Sequence, residues 1–267
     1  TESYIGPNSV IGEGEVTASF VGPFVGFHHQ SLLIAAFWPG GRGNIGQGAN
    51  VGSNHSSRMP DGEIWPAEGM FFGLGCNIKY PADFSSSPYS IIATGVTTLP
   101  QKVEYPFSLI VQPDETQPEA PPAFNRLIPA WVLSDNFYAV RRGEMKFAAR
   151  NKVPGTAFDS DPLWPATMEQ MENAVRMLTS AGSPKNVYLP EDMPGIGKNF
   201  LLEKDRQKAV ETYRFFIRFA RLRNALAGCG NPGWKSPPEE KYPDIVEEYA
   251  VMLEKLFAMT LDSRRKD

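Results

Sequence analysis

Large aliphatic residues recur along the first third of the chain at a spacing that fits neither a helix nor an ordinary strand. In "IGPNSVIGEGEV", Ile5 to Val16, each six-residue phrase opens on an aliphatic residue followed by glycine. The pair returns at Ile45-Gly46 and Val51-Gly52, and the phase continues through Phe72-Gly73, Ile78 and Phe84. Val21-Gly22 and Val25-Gly26 share the vocabulary, slightly out of register. Four positions after the aliphatic residue a small one often stands: Ser9, Ala49, Cys76, Ala82. Helices repeat about every 3.6 residues and strands every 2. A period of six matches a short strand plus a corner. The large residue turns inward and stacks on its equivalent one coil away, and the small one fits the corner. Glycine opens backbone conformations closed to other residues. Three units close a triangular coil, and stacked coils bury a continuous aliphatic column.

The hydrophobic pattern changes near Pro100. "VQPDETQPEAPPAF" is rich in proline and acid and reads as an extended crossing segment, and "LIPAWVLSDNFYAV" is apolar and aromatic enough to pack on the coils. Helical spacing then takes over. Met168, Met171, Val175 and Leu178 share one face with Gly182 as a stop; Tyr213, Phe216, Ile217 and Ala220 share a second; Ile245, Tyr249, Met252, Leu253 and Leu256 a third. The expected fold class is β plus α. A parallel β-coil occupies 1–100, an extended crossing segment 101–160, and a group of amphipathic helices 161–267.

Composition narrows the function classes. The formal net charge of −4 over 267 residues predicts no nucleic-acid or anionic-membrane surface. No apolar run approaches the ~18 residues of a membrane span, and no signal peptide opens the chain, so a cytoplasmic location is expected. Two cysteines make neither a disulfide framework nor a metal cluster. The chain starts at Thr1 already in phase with the repeat, as expected of a fragment of a longer protein.

Chemistry is expected where the repeat is interrupted, because loops on a rigid frame carry sites. One break is "FWPGGRGN", Phe37 to Asn44; the other runs from Ser53 to Phe71. The three histidines, His28, His29 and His55, lie in or beside these breaks. An imidazole titrates near pH 6.5, so a neutral base is available at pH 7. Arg42, among Gly40, Gly41 and Gly43, could hold a phosphate. Arg58, Asp61 and Glu63 could orient a sugar. The plainer alternatives are corner histidines that cap backbone carbonyls and solvated loops. Trp38 and Trp65 are expected to anchor their loops by burial, and Cys76 to be core. Arg214, Arg218 and Arg221, with Lys204 and Lys208, form one basic face, a phosphate site or a face paired with acids such as Glu247, Glu248 and Glu254. Arg141, Arg142, Lys146, Arg150 and Lys152 form another cluster with the same two readings.

The tandem hexads resemble the hexapeptide-repeat family, whose fold is a left-handed parallel β-helix. "PYSIIATGV", Pro88 to Val96, is similar to the family's closing phrase. "NIGQGANVGSNHSSRMPDGEIWPAEGMFFGLGCNI" looks like the acetyltransferase domain of the bifunctional sugar-1-phosphate uridylyltransferases. That resemblance implies a homotrimer and an acyltransferase using acetyl-CoA or another acyl-CoA on a sugar or sugar nucleotide. It requires no metal and places the base at "GFHHQSLL", His29 or His28, with His55 a further candidate. The chain is also similar to an uncharacterised bacterial family of hexapeptide-repeat proteins with helical C-termini. Two alternatives stand beside the enzyme: a non-catalytic trimeric scaffold, and the oligomerising or regulatory part of a sugar nucleotidylyltransferase-like protein.

Overall fold

A computed structural model of the chain describes residues 2–52, 63–153, 161–228 and 243–266. Short parallel strands stack in register on three faces. The first face carries Tyr4–Ile5, Phe20–Val21, Phe37–Trp38, Ile64–Trp65, Ala82–Asp83 and Gln101–Lys102. The second carries Val10–Ile11, Gly26–Phe27, Asn44–Ile45, Phe71–Phe72, Ile91–Ile92 and Leu109–Val111. The third runs from Glu15–Thr17 through Leu32–Ile34, Asn50–Val51 and Asn77–Ile78 to Thr97–Thr98. This is a parallel β-solenoid of about five coils, with helices following it. The fold is the β plus α class that the hexads imply.

The inward column is the one the repeat marks. On the second face Phe27, Ile45, Phe72, Ile92 and Ile110 align in register, and all are buried. Ile45, Val51, Phe72, Ile78 and Phe84 are fully buried. Ala49 and Cys76 fill corner slots with no exposure. Burial pushes the Cys76 thiol up to about 12, so it stays protonated at neutral pH.

Gly52 takes the left-handed φ expected of a paired glycine, but the other paired glycines serve a different purpose. Gly6, Gly22, Gly46 and Gly73 are absent from the left-handed positions. A Cβ on Gly46 would lie 2.8 Å from Leu74 N, and one on Gly73 2.6 Å from the Ala93 carbonyl carbon. Close approach of the next coil's backbone is what excludes a side chain. The left-handed residue comes two places later, at Asn8, Phe24, Gly48 and Gly75.

Two further expectations are corrected. Phe37 to Asn44 is no break in the coil: Phe37–Trp38 is a regular strand, and residues 39–43 form a widened corner. Trp38 explains the corner. Its indole is fully buried and donates Nε1–H to Ala67 O at 2.7 Å, and it stands where a Cβ on Gly43 would meet Cζ2 at 2.1 Å. Residues 101–153 are also not simply extended. The coil continues to Val111, and Asn125–Ile128 adds to the second face antiparallel to Leu109–Val111. Two helices follow, α1 (Trp131–Asp135) and α2 (Phe137–Arg150).

The later helices follow the sequence periodicity. They are α3 (Pro165–Thr179), α4 (Glu203–Gly228) and α5 (Pro243–Lys266). Tyr213, Phe216, Ile217 and Ala220 of α4 are buried, as are Met171, Ala174 and Leu178 of α3. Tyr213 clamps α4 to the last coil: its hydroxyl donates to Pro106 O at 2.5 Å and accepts Ala130 N–H at 3.1 Å. The row Arg218 and Arg221 pairs with Glu248 of α5 and Glu172 of α3. No helix among the described residues is long and apolar enough to cross a membrane.

Glu203 opens α4, where the helix dipole favours an anion. Arg206 grips its carboxylate with two donors at 2.6 and 2.7 Å, and Tyr188 Oη donates at 2.8 Å. These partners, Arg206 foremost, hold the carboxyl down at about 2 against an ordinary 4.5. Its stabilising contribution is therefore full above about pH 4.5 and is lost as pH falls toward 2. Glu203→Gln is expected to lose less stability across that window than wild type, measured by urea unfolding at a series of acid pH values.

Candidate functional site

Side chains pointing outward from the second face alternate with those of the core, so they form a row of their own. The row reads Val10, Gly26, Asn44, Phe71, Ile91 and Leu109 from first coil to last. Helix α2 lies over it and leaves a cleft of about 900 Å³ lined by both. The helix runs back along the coil stack. Just ahead of it Val132 N–H donates to Phe107 O at the last coil, and past its end Lys152 N–H donates to Asn8 Oδ1 at the first.

The cleft is apolar at one end and mixed at the other, where Val10, Phe24 and Phe147 stand among the charged groups. Phe71, Ile91 and Leu109 line the apolar end, together with Trp131 and Val140. At the other end the wall carries His28, His29 and Arg42, and α2 brings Arg142, Lys146 and Arg150 on one stripe. No carboxylate pairs with those three among the described residues. Burial first, then repulsion from Arg142 and Arg150, lowers the Lys146 ammonium from its ordinary value. The acid on this stretch, Glu144, pairs with Arg141 at 3.1 Å, and burial pushes its carboxyl up.

Each of the two described histidines has a side-chain partner. His29 Nδ1 lies 2.7 Å from Glu13 Oε2, one coil away. With Nδ1–H donated to that carboxylate, Nε2 keeps its lone pair. His28 Nε2 lies 3.0 Å from Asn44 Oδ1. A carboxamide oxygen only accepts, so His28 carries its proton on Nε2. Gly26 makes this bond possible, since a Cβ there would sit 2.8 Å from Asn44 Oδ1.

Arg42 is nearly buried, with its side chain 8% exposed. It pairs with Glu68 at 3.0 Å, and the Tyr89 hydroxyl donates to the same carboxylate at 3.0 Å. Its backbone N–H is taken by Pro23 O at 2.7 Å. Arg42 thus reaches the cleft as part of a wall, with the Phe147 ring of α2 6.0 Å from its guanidinium. Glu63 is exposed just before the strand Ile64–Trp65 and is not among the cleft residues. His55, Arg58 and Asp61 lie outside the described residues.

Two features escape the hexad pattern. One is α2 itself, whose basic stripe at 142, 146 and 150 was legible only as a charge cluster. The other is Gly143, a mid-helix glycine that faces the cleft. A Cβ there meets nothing closer than Phe147 Cε2 at 3.7 Å. Gly143→Ala is expected to raise stability by about 0.5–1 kcal/mol, the usual helix-propensity gain. Urea unfolding at neutral pH checks it.

The first face carries a different outward row. Tyr4, Phe20, Phe37 and Trp65 line up with ring centroids 4.7, 5.4 and 5.1 Å apart, the first pair stacked and the other two tilted. Trp65 is 40% exposed, so unlike Trp38 it does not anchor by burial.

Comparison with known proteins adds a relative. The chain is 33% identical over 173 residues to an uncharacterized protein of Treponema pallidum (strain Nichols). The match covers 62% of this chain, and the chain spans 22% of that relative's length. No family model matches the chain. No solved structure matches it.

Proposed function

We propose that this chain is an acyltransferase that moves an acyl group from acetyl-CoA or another acyl-CoA to an amino or hydroxyl group of a sugar or sugar nucleotide. A parallel solenoid built on six-residue repeats is typical of hexapeptide-repeat proteins, many of which do this chemistry. Fold analogy supplies only a prior. The observation that carries the reading is one cleft lined by His29, whose ring is held by Glu13, and by three cations that have no carboxylate partner among the described residues.

The parts divide the work. Arg142, Lys146 and Arg150 meet the donor's phosphates. Glu13 fixes the ring of His29 and its tautomer. The acceptor nitrogen or oxygen attacks the thioester carbonyl while His29 Nε2 takes its proton. The C–S bond then breaks, and the imidazolium returns the proton to the leaving thiolate. His28, tied to Asn44, lines the same wall. A homotrimer belongs to the reading, with the exposed aromatic row of the first face as its contact surface.

That same row also favours the scaffold reading, since contiguous exposed rings mark interaction surfaces. Thiol release separates the two. Incubated with acetyl-CoA and a panel of amino sugars and sugar nucleotides, the wild-type chain releases free CoA thiol if it is the enzyme. Release equal to the buffer rate across the panel moves the assignment to the scaffold.

A further inference from the structure

We infer that the cleft under α2 is a binding site for a single-chain anionic amphiphile, with its phosphate on Arg142, Lys146 and Arg150 and its aliphatic chain running toward Phe71, Ile91 and Leu109. The inference goes beyond acyl transfer: it concerns what the cleft holds, whatever chemistry follows.

Three observations converge on it. The first is polarity. Outward residues of a solenoid face ordinarily meet water, yet on the last three coils of this face they are large and apolar, and a helix covers them. On the two coils before them the row is small and polar, at Asn44 and Gly26, and it ends on Val10 at the first coil. The charges of α2 follow the same gradient. Neighbouring coils are about 4.8 Å apart, so Phe71, Ile91 and Leu109 span about 10 Å, the reach of a medium aliphatic chain.

The second is the shape of the roof. Over the apolar row α2 presents Val140 and two small residues, Ala139 and Gly143. Gly143 carries no side chain where one would fit without conflict. A helix selected only to pack on the solenoid would fill that place, because proteins pack their interiors densely. The cleft volume of about 900 Å³ lies in the range of small-molecule sites.

The third is charge. Arg142, Lys146 and Arg150 stand together with no carboxylate partner among the described residues, and repulsion from the two arginines adds to burial, the larger cause, in lowering the Lys146 ammonium. An anion at this end relieves that repulsion, and a phosphate does so with bidentate geometry at the arginines. An acyl thioester carrier and a lysophospholipid share this chemistry of phosphate and single chain.

Calorimetry on the full chain tests the inference with decyl phosphate, below its micelle concentration, against inorganic phosphate and decanol. Decyl phosphate is expected to bind at least tenfold tighter than either. Gly143→Phe fills the slot and reduces decyl phosphate to the affinity of inorganic phosphate, whereas Gly143→Ala leaves it within twofold of wild type. The triple variant Arg142→Gln/Lys146→Gln/Arg150→Gln brings it down to the affinity of decanol. Circular dichroism melts show whether each variant is folded. Comparison of decanoyl-CoA with a decanoyl lysophosphatidate then assigns the source, the tighter being the occupant. Decyl phosphate no tighter than inorganic phosphate overturns the site, as does tight binding that folded Gly143→Phe leaves intact. Thiol release is not read in this experiment, so a chain that binds decyl phosphate but transfers no acyl group keeps the site and loses only the enzyme.

Discussion

Trp38→Ala is expected to destabilise the chain by about 3–5 kcal/mol, the range for removing a fully buried large aromatic side chain. The indole sits in the inward column of the first face, with no exposure, and meets Phe72 edge-on at a centroid distance of 5.8 Å. Its loss leaves a void in a column that rigid neighbouring coils cannot close. It also strands Ala67 O, which accepts the indole N–H at 2.7 Å. The corner at residues 39–43 cannot shift inward to compensate, because the next coil already touches it: a Cβ on Gly40 would lie 2.7 Å from the Glu68 Cβ. Urea unfolding measures the difference. Phe37→Ala, one residue away on the outward row and 39% exposed, serves as the comparison and is expected to cost far less. Equal losses at the two positions would mean that the inward column does not carry the solenoid.

The second large effect is at His29. If its Nε2 takes the acceptor's proton, His29→Ala lowers kcat/KM for acyl transfer by about 100- to 10,000-fold, the range for losing a general base. On the proposed mechanism KM for the donor changes little, because α2 and not the imidazole would hold its phosphates. Glu13→Gln should act in the same direction and less strongly. The pair is solvent-exposed, with His29 at 62% and Glu13 at 79%, so its Coulomb energy is small and its contribution is orientation. A drop in kcat for His29→Ala with an unchanged donor KM separates a base from a binding residue. A variant that retains wild-type kcat rules His29 out as the base and leaves His28 as the candidate.

How much of this was legible in the sequence depended on which residues repeat. Ile45, Val51, Phe72 and Ile78 recur because every coil must fill the same column, so their positions announce the fold. The outward rows answer to no such rule. Val10, Gly26, Asn44, Phe71, Ile91 and Leu109 share a row but no residue type, and only the register of the strands aligns them. Tyr4, Phe20, Phe37 and Trp65 share a type, but the insertion before Trp65 breaks their spacing. The glycine of each hexad was visible, but its reason was not: the approach of a neighbouring backbone is a property of the stack, not of the hexad. Helix α2 was obscured by Gly143 and by Asn136, which makes no side-chain cap. His28, His29 and Arg42 were found because they stand beside the coil. The stripe of Arg142, Lys146 and Arg150 that completes the cleft lies about a hundred residues further on, and only the fold brings it there.

The measurement closest to the centre of the account is calorimetric titration of acetyl-CoA into the wild-type chain and into His28→Ala/His29→Ala, with thiol release followed in parallel. If α2 holds the donor's phosphates and His29 is the base, both proteins bind acetyl-CoA and the wild type alone releases thiol on adding the acceptor. No binding by the wild type at millimolar acetyl-CoA would contradict it.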